Sequence, residues 1–320
     1  MIILFSVFAK IVVNFMKEIS VLAPATVANV VCGFDCLGFA LENPCDEMTV
    51  RLIGEKKVRI KHLDKFNLPT DPEKNIVGVA LLALLDSIDE NLGFEVEITK
   101  NIKPGSGIGS SAASAVGAVV AANKLLNDRF SPLEVAEFAM IGEQLASQGR
   151  HADNVAPCLF GGFVLVRSAN PLDIVRLDFP PLFATVIHPQ IEIKTSYARE
   201  ILPKNVPLKD AIRGWSNLGA LVAALSKSNY ELISRSLEDF IVEPVRKVLI
   251  PHFDELKAAS LKAGALGGGI SGSGPSVFML SENLKTAEKV ESAMRKVYAQ
   301  TEIDFNVYVS KINAEGVRIT

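Results

Sequence analysis

The sequence predicts two successive α+β domains. With 320 residues, 49% of them hydrophobic, the chain can bury two cores. Strand-like and helix-like segments follow one another without a strict β-α-β rhythm, which argues against a doubly wound parallel sheet. An interval at about residues 168–182 carries Asn170-Pro171 and Pro180-Pro181 and reads as the boundary between domains 16–170 and 171–320.

In chain order, short alternating or apolar runs predict strands at Ile19 to Leu22, Met48 to Ile53, Val58 to His62 and Phe94 to Ile98, with a helix at Asn75 to Ile88. A small-residue helix, Ala112 to Leu126, follows a glycine-rich loop. Ser131-Pro132 supplies an N-cap and a first-turn proline for a helix to about Ser147, which Gly149 ends. Strands at Phe163 to Arg167 and Ala184 to His188 flank the boundary. The second domain reads as helices at Lys209 to Leu225, Tyr230 to Phe240, Pro251 to Lys262 and Lys285 to Tyr298, with strands at Val277 to Leu280 and Phe305 to Val309.

A net charge of −3, from 33 Lys plus Arg against 36 Asp plus Glu, gives no footprint for nucleic acid or an anionic membrane, so small-molecule chemistry is favoured. Cys32, Cys36, Cys45 and Cys158 lack metal spacing and read as reduced thiols of a cytosolic protein. Residues 1–15 are almost wholly apolar but too short to span a bilayer. They stand either as a functional extension or as an upstream translation artefact ahead of Met16-Lys17.

The stretch Pro104-Gly105-Ser106-Gly107-Ile108-Gly109-Ser110-Ser111-Ala112-Ala113 is the strongest chemical signal. A Gly/Ser loop feeding a helix N-terminus offers unpaired amides and a positive dipole end to a phosphate. No lysine follows Gly109, so this is not a P-loop. Ser110 or Ser111 could place a hydroxyl on a magnesium ion; the alternative is a tight connection whose glycines only supply unusual backbone angles. Glu143 through Asn154 could combine a magnesium ligand, Glu143, with His151, Asp153 and Asn154 to orient an acceptor hydroxyl. It could equally be a polar helix end. In Ala23 to Gly38, Asp35 could neutralise a substrate ammonium, and the glycines and serines of Gly264 to Pro275 allow either close ligand approach or simple turns.

Five strings in order resemble the GHMP kinase superfamily, and most closely its homoserine kinase family, across about residues 18–310. They are Pro24-Ala-Thr with Ala28-Asn29 and Gly33-Phe-Asp35, the Gly/Ser loop, His151-Ala-Asp-Asn154, Glu243-Pro-Val-Arg246 with Ile250-Pro251, and Ser271-Gly-Ser-Gly-Pro275; Thr195 and Arg199 match as well. The resemblance implies an N-terminal ribosomal-protein-like domain, a C-terminal ferredoxin-like domain, and ATP-dependent phosphorylation of the L-homoserine side-chain hydroxyl on the route to threonine. It implies ATP on Pro104 to Ala113 with Asn75 and Lys100, and Mg2+ on Ser111 and Glu143. Homoserine would lie among Asn29, Asp35, His151, Asn154, Thr195, Arg199 and Arg246, with Asn154, Ser111 and Glu143 as the catalytic set. A cytoplasmic homodimer is the family expectation. Another GHMP small-molecule kinase and a non-catalytic ligand sensor are the alternatives. The chain departs from the family pattern at Val30-Val31-Cys32, where Leu-Gly-Pro is frequent.

Overall fold

The computed structural model describes residues 18–147, 149 and 151–320; the apolar segment 1–15 lies outside the described residues. The first half contains β1 (Glu18–Ala28), β2 (Leu37–Ile53), β3 (Val58–His62), α1 (Ile76–Asp86), β4 (Gly93–Thr99), α2 (Ser110–Leu125), α3 (Pro132–Ser147), α4 (Val155–Phe160), β5 (Phe163–Ala169) and β6 (Leu172–Leu177). These strands form a sheet with the path β11-β1-β2-β4-β3, on which β5 pairs β2 and β6. Its β11 (Arg318–Ile319) comes from the far end of the chain and pairs antiparallel with β1.

Two strands run longer than the hydrophobic pattern suggests. β1 continues past Leu22 because a register shift between Pro24 and Thr26 absorbs a proline that cannot donate to the ladder. β2 reaches back to Leu37 because its two ends serve different partners, Leu37–Phe39 pairing β5 and Glu47–Ile53 pairing β4. The small residues of α2 cover β1, and Ala112, Ala113, Ala115 and Ala118 are fully buried there.

The chain leaves this sheet after Leu177 and starts a second one. That half holds β7 (Phe183–Pro189), α5 (Thr195–Glu200), α6 (Leu208–Ser226), α7 (Tyr230–Ser236), α8 (Glu243–Arg246), α9 (Phe253–Lys262), β8 (Gly267–Ile270), β9 (Val277–Ser281), α10 (Leu284–Tyr298) and β10 (Phe305–Lys311). The strands form an antiparallel four-stranded sheet in the order β10-β7-β9-β8. The strand β8, a Gly-Gly-Gly-Ile run, reads as turns by composition and forms only through pairing with β9.

Packing joins the halves. Phe39 of β2 meets Phe163 of β5 at 4.9 Å and Phe278 of β9 at 5.5 Å between ring centroids, each such pair worth about 1 kcal/mol beyond its buried area. Ser310 accepts hydrogen bonds from the Glu42 and Asn43 amides, and Leu41 bridges Ile312. The junction these contacts fix is where the polar cavity lies.

Candidate active site

A cavity of about 360 Å³ is lined by both halves. On one side the Gly/Ser loop runs into α2. Gly109 takes the left-handed backbone, φ 69°, and no side chain caps the helix start. By contrast, Asn75 caps α1, Ser131 and Glu134 cap α3 reciprocally, and Asn283 caps α10. The first-turn amides of α2 are thus left for an anion.

The loop is held from two sides. The Thr26 amide donates to the Ile108 carbonyl. From the second half, Ser276 Oγ donates to Ser106 O at 2.6 Å and Ser271 Oγ to Gly107 O at 2.7 Å. Gly107 sits so close to Gly274 that a Cβ there would lie 2.5 Å from the Gly274 carbonyl oxygen. Below the helix start, Lys100 Nζ donates to buried Asp46, to Ser110 O and to Ser114 Oγ, and so braces the first turn. Ser111 Oγ, in the first turn of α2, donates to Glu143 Oε1 at 2.7 Å, so two hard oxygen atoms lie together there. Burial pushes the Glu143 carboxyl up to about 7.

The other side is built of charged side chains. Arg199 grips Asp35 in a two-pronged ion pair of 2.8 and 3.0 Å, and His151 Nδ1 lies 3.8 Å from the same carboxylate. Burial holds the His151 pKa below the ordinary imidazole range despite Asp35. Arg246 is buried, donating Nε to Ala198 O and Nη1 to Gly272 O. Both guanidinium groups approach the Phe34 ring, at 5.1 Å for Arg246 and 5.8 Å for Arg199. Asn29 stands at positive φ, 73°, accepts the Asp35 amide on Oδ1 and donates Nδ2 to Gly272 O. Asp153 is buried beside these groups, and loss of solvent with Asp35 nearby pushes it up to about 7.

Seventeen of the residues anticipated from sequence line this one cavity: Asn29, Asp35, Lys100, Pro104, Gly105, Ser106, Gly107, Gly109, Ser110, Ser111, Glu143, His151, Asp153, Asn154, Thr195, Arg199 and Arg246. Ile108, Ala112 and Ala113 are buried beneath the loop. Asn75 spends its side chain on capping Val77 N and on Pro69 O and His62 Nε2, while Leu68 and Ile76 line the cavity next to it. Sequence reasoning had no signal for Leu68 or Ile76, which are plain apolar residues, or for Ser114, whose hydroxyl stands inside a small-residue helix. It quoted Thr26 and Phe34 without using them, and weighed Gly272 and Ser273 as either a close ligand approach or simple turns.

A helix N-terminus open to phosphate, facing an acceptor pocket at the junction of two α+β halves, has the form of a small-molecule kinase. Residues 75–162 match the family "GHMP kinases N terminal domain" and residues 221–300 match "GHMP kinases C terminal". The chain is 44% identical over 318 residues to homoserine kinase of Chloroherpeton thalassium, covering 95% of this chain and all of that protein. It is 38% identical to homoserine kinase of Pyrococcus furiosus, over 91% and 97% of the two chains. Among solved structures, homoserine kinase from Cytophaga hutchinsonii superposes with a TM-score of 0.92 at 50% identity, covering 96% of this chain and 98% of that one. Leishmania mevalonate kinase in complex with R-mevalonate, at 15% identity and a TM-score of 0.69, shares the fold alone. The chain belongs to the GHMP kinase superfamily and, within it, to the homoserine kinases.

Proposed function

We propose that the chain transfers the γ-phosphoryl group of ATP to the side-chain hydroxyl of L-homoserine, giving O-phosphohomoserine and ADP. The observation that carries this reading is the meeting, in one cavity, of an uncapped helix start with Asp35, Arg199 and Arg246. A free amino acid carries one ammonium and one carboxylate. Asp35 suits the first, and the guanidinium groups of Arg199 and Arg246 suit the second. Opening the Asp35–Arg199 pair costs little, since a pair this exposed is worth only about 0–1 kcal/mol. A zwitterion then replaces each lost charge contact with another.

The donor phosphates rest on the loop amides. Ser111 and Glu143 are the residues that would hold Mg2+, and the pair fits a hard cation because both ligands are oxygens already in contact. When bound, the ion neutralises charge on the phosphate oxygens. Asn154 lies between the two sides and orients the acceptor hydroxyl. A loose phosphoryl-transfer transition state asks mainly for such positioning and for charge stabilisation. A cytoplasmic homodimer belongs to the same proposal; among the described residues no helix is long and apolar enough to cross a membrane.

A coupled ADP-release assay with homoserine, serine, threonine, mevalonate and galactose side by side tests the reading. Turnover is expected with homoserine above the others, and none above background with homoserine overturns it.

A further inference from the structure

Asn154 occupies the N-cap position of α4, yet its side chain caps nothing there. Its Oδ1 instead accepts a 2.7 Å hydrogen bond from Thr26 Oγ1, on a strand 128 residues earlier. Thr26 is fully buried, and this is the contact that satisfies its hydroxyl. The pair occupies a space that only a glycine leaves open: a Cβ on Gly109 would lie 1.9 Å from Thr26 Oγ1 and 3.0 Å from Asn154 Oδ1. The Thr26 amide, moreover, holds the Ile108 carbonyl. One buried residue therefore touches both the phosphate loop and the group facing the acceptor.

We infer that Thr26 is a positioning residue that fixes which end of the Asn154 carboxamide meets the acceptor hydroxyl. Asn154 lines the cavity, and with Oδ1 engaged by the threonine, Nδ2 is the end of its carboxamide left for a ligand. Asn154 then donates to one lone pair of the acceptor oxygen and leaves the other aimed at the donor phosphate. It does not accept the hydroxyl proton: as the acceptor oxygen bonds the γ-phosphorus and the bond to ADP breaks, that proton passes to an oxygen of the transferred phosphoryl group. A freely turning carboxamide would present its oxygen half the time, and the acceptor would be held in the wrong sense.

The inference rests on the reading of Asn154 as the hydroxyl-orienting group, so the experiment separates the two. Steady-state kinetics with ATP and homoserine are measured on the full chain for Thr26→Val, Thr26→Ser, Asn154→Ala, Asn154→Asp and the double variant Thr26→Val/Asn154→Ala, with thermal unfolding recorded for each. Thr26→Val is expected to lower kcat about tenfold, the loss of one buried hydrogen bond, with the ATP KM within about twofold. Thr26→Ser, which keeps the hydroxyl, should restore kcat. In the Asn154→Ala background Thr26→Val should add nothing, because the group it positions is gone. Asn154→Asp keeps an acceptor for Thr26 but puts a carboxylate oxygen where the amide N–H stood, and should fall as far as Asn154→Ala. Wild-type turnover by Asn154→Asp overturns the assigned orientation, and does so even if Thr26→Val fails to fold. A Thr26→Val effect that adds to Asn154→Ala, or that moves only the melting temperature, makes Thr26 structural and overturns the inference. An unchanged kcat in Asn154→Ala removes instead the underlying reading of Asn154.

Discussion

The two sides of the cavity are made from different materials. The proposed donor side is one contiguous loop, Pro104 to Ala113, which would bind through main-chain amides. The proposed acceptor side draws on cavity-lining residues from distant segments, Asn29 and Asp35 after β1, His151 and Asn154 before α4, and Arg199 and Arg246 on α5 and α8. Main-chain groups survive most side-chain changes but fail when a Cβ is added where none fits. Charged side chains fail when the charge is removed, and leave the backbone standing. The halves of the site should therefore break in different ways and in different kinetic constants.

The largest effect is expected on the donor side from a single methyl group. Gly107 has φ 81°, and Gly107→Ala would drive its Cβ against the Gly274 carbonyl, so the loop must shift. A displacement near 1 Å at a reacting site costs about a hundredfold in rate. Gly107→Ala should accordingly lower kcat/KM for ATP by about that factor; an unaffected enzyme would show that the loop is not held by its contact with residues 271–274.

Arg246→Ala comes next and acts on the acceptor side. Losing charge-assisted bonds worth about 2 kcal/mol should raise the homoserine KM roughly thirtyfold while the ATP KM stays within about twofold. The structure sharpens this test, because Arg246 also satisfies the carbonyls of Ala198 and Gly272, and Gly272 in turn holds Asn29. Equal loss of affinity for both substrates would assign Arg246 to holding the loop rather than the substrate.

A smaller effect separates the sides by pH. Asp153 titrates at about 7 in the folded chain because it is buried near Asp35, with Arg199 opposing, against about 3.9 when unfolded. The folded state thus keeps a proton that the unfolded state has released. Its stability contribution is complete below about 3.9 and is lost as the pH rises through 7. Asp153→Asn removes that loss. At pH 8 the variant should be more stable than the parent in urea unfolding, the gap closing toward pH 4. A gap independent of pH would mean another group titrates.

The same contrast explains what the sequence made legible. The donor loop is contiguous, so its glycines, its serines and the helix after them can be read together; the side chains of Asn75 and Lys100, expected beside the nucleotide, are engaged in capping α1 and in bracing the first turn of α2. The acceptor residues are separated by up to 217 positions, Asn29 to Arg246. Periodicity says nothing about such distances, and only the resemblance to a family joined them. Elements whose formation depends on partners were illegible for the same reason. The glycines of β8 look like turns until a neighbouring strand is in place. Thr26 was quoted but unweighed, because its significance is a contact 128 residues away.

The smallest expected effect lies in the loop that departs from the family pattern. Val31 stands where that pattern has glycine, and it adopts φ 58°, a region that a β-branched residue occupies only under strain. It is also 5% exposed, so its side chain contributes packing. A buried valine replaced by glycine ordinarily costs about 3 kcal/mol, from lost methyl groups and added backbone freedom. At position 31 the substitution also releases about 1–3 kcal/mol of left-handed strain, which offsets part or all of that cost. Val31→Gly should therefore destabilise by no more than about 2 kcal/mol, whereas Val27→Gly, equally buried in β1 but without a positive φ, should cost the full amount. Equal losses at the two positions would show that no strain is stored beside Asn29, and that the valine was accommodated by reshaping the loop.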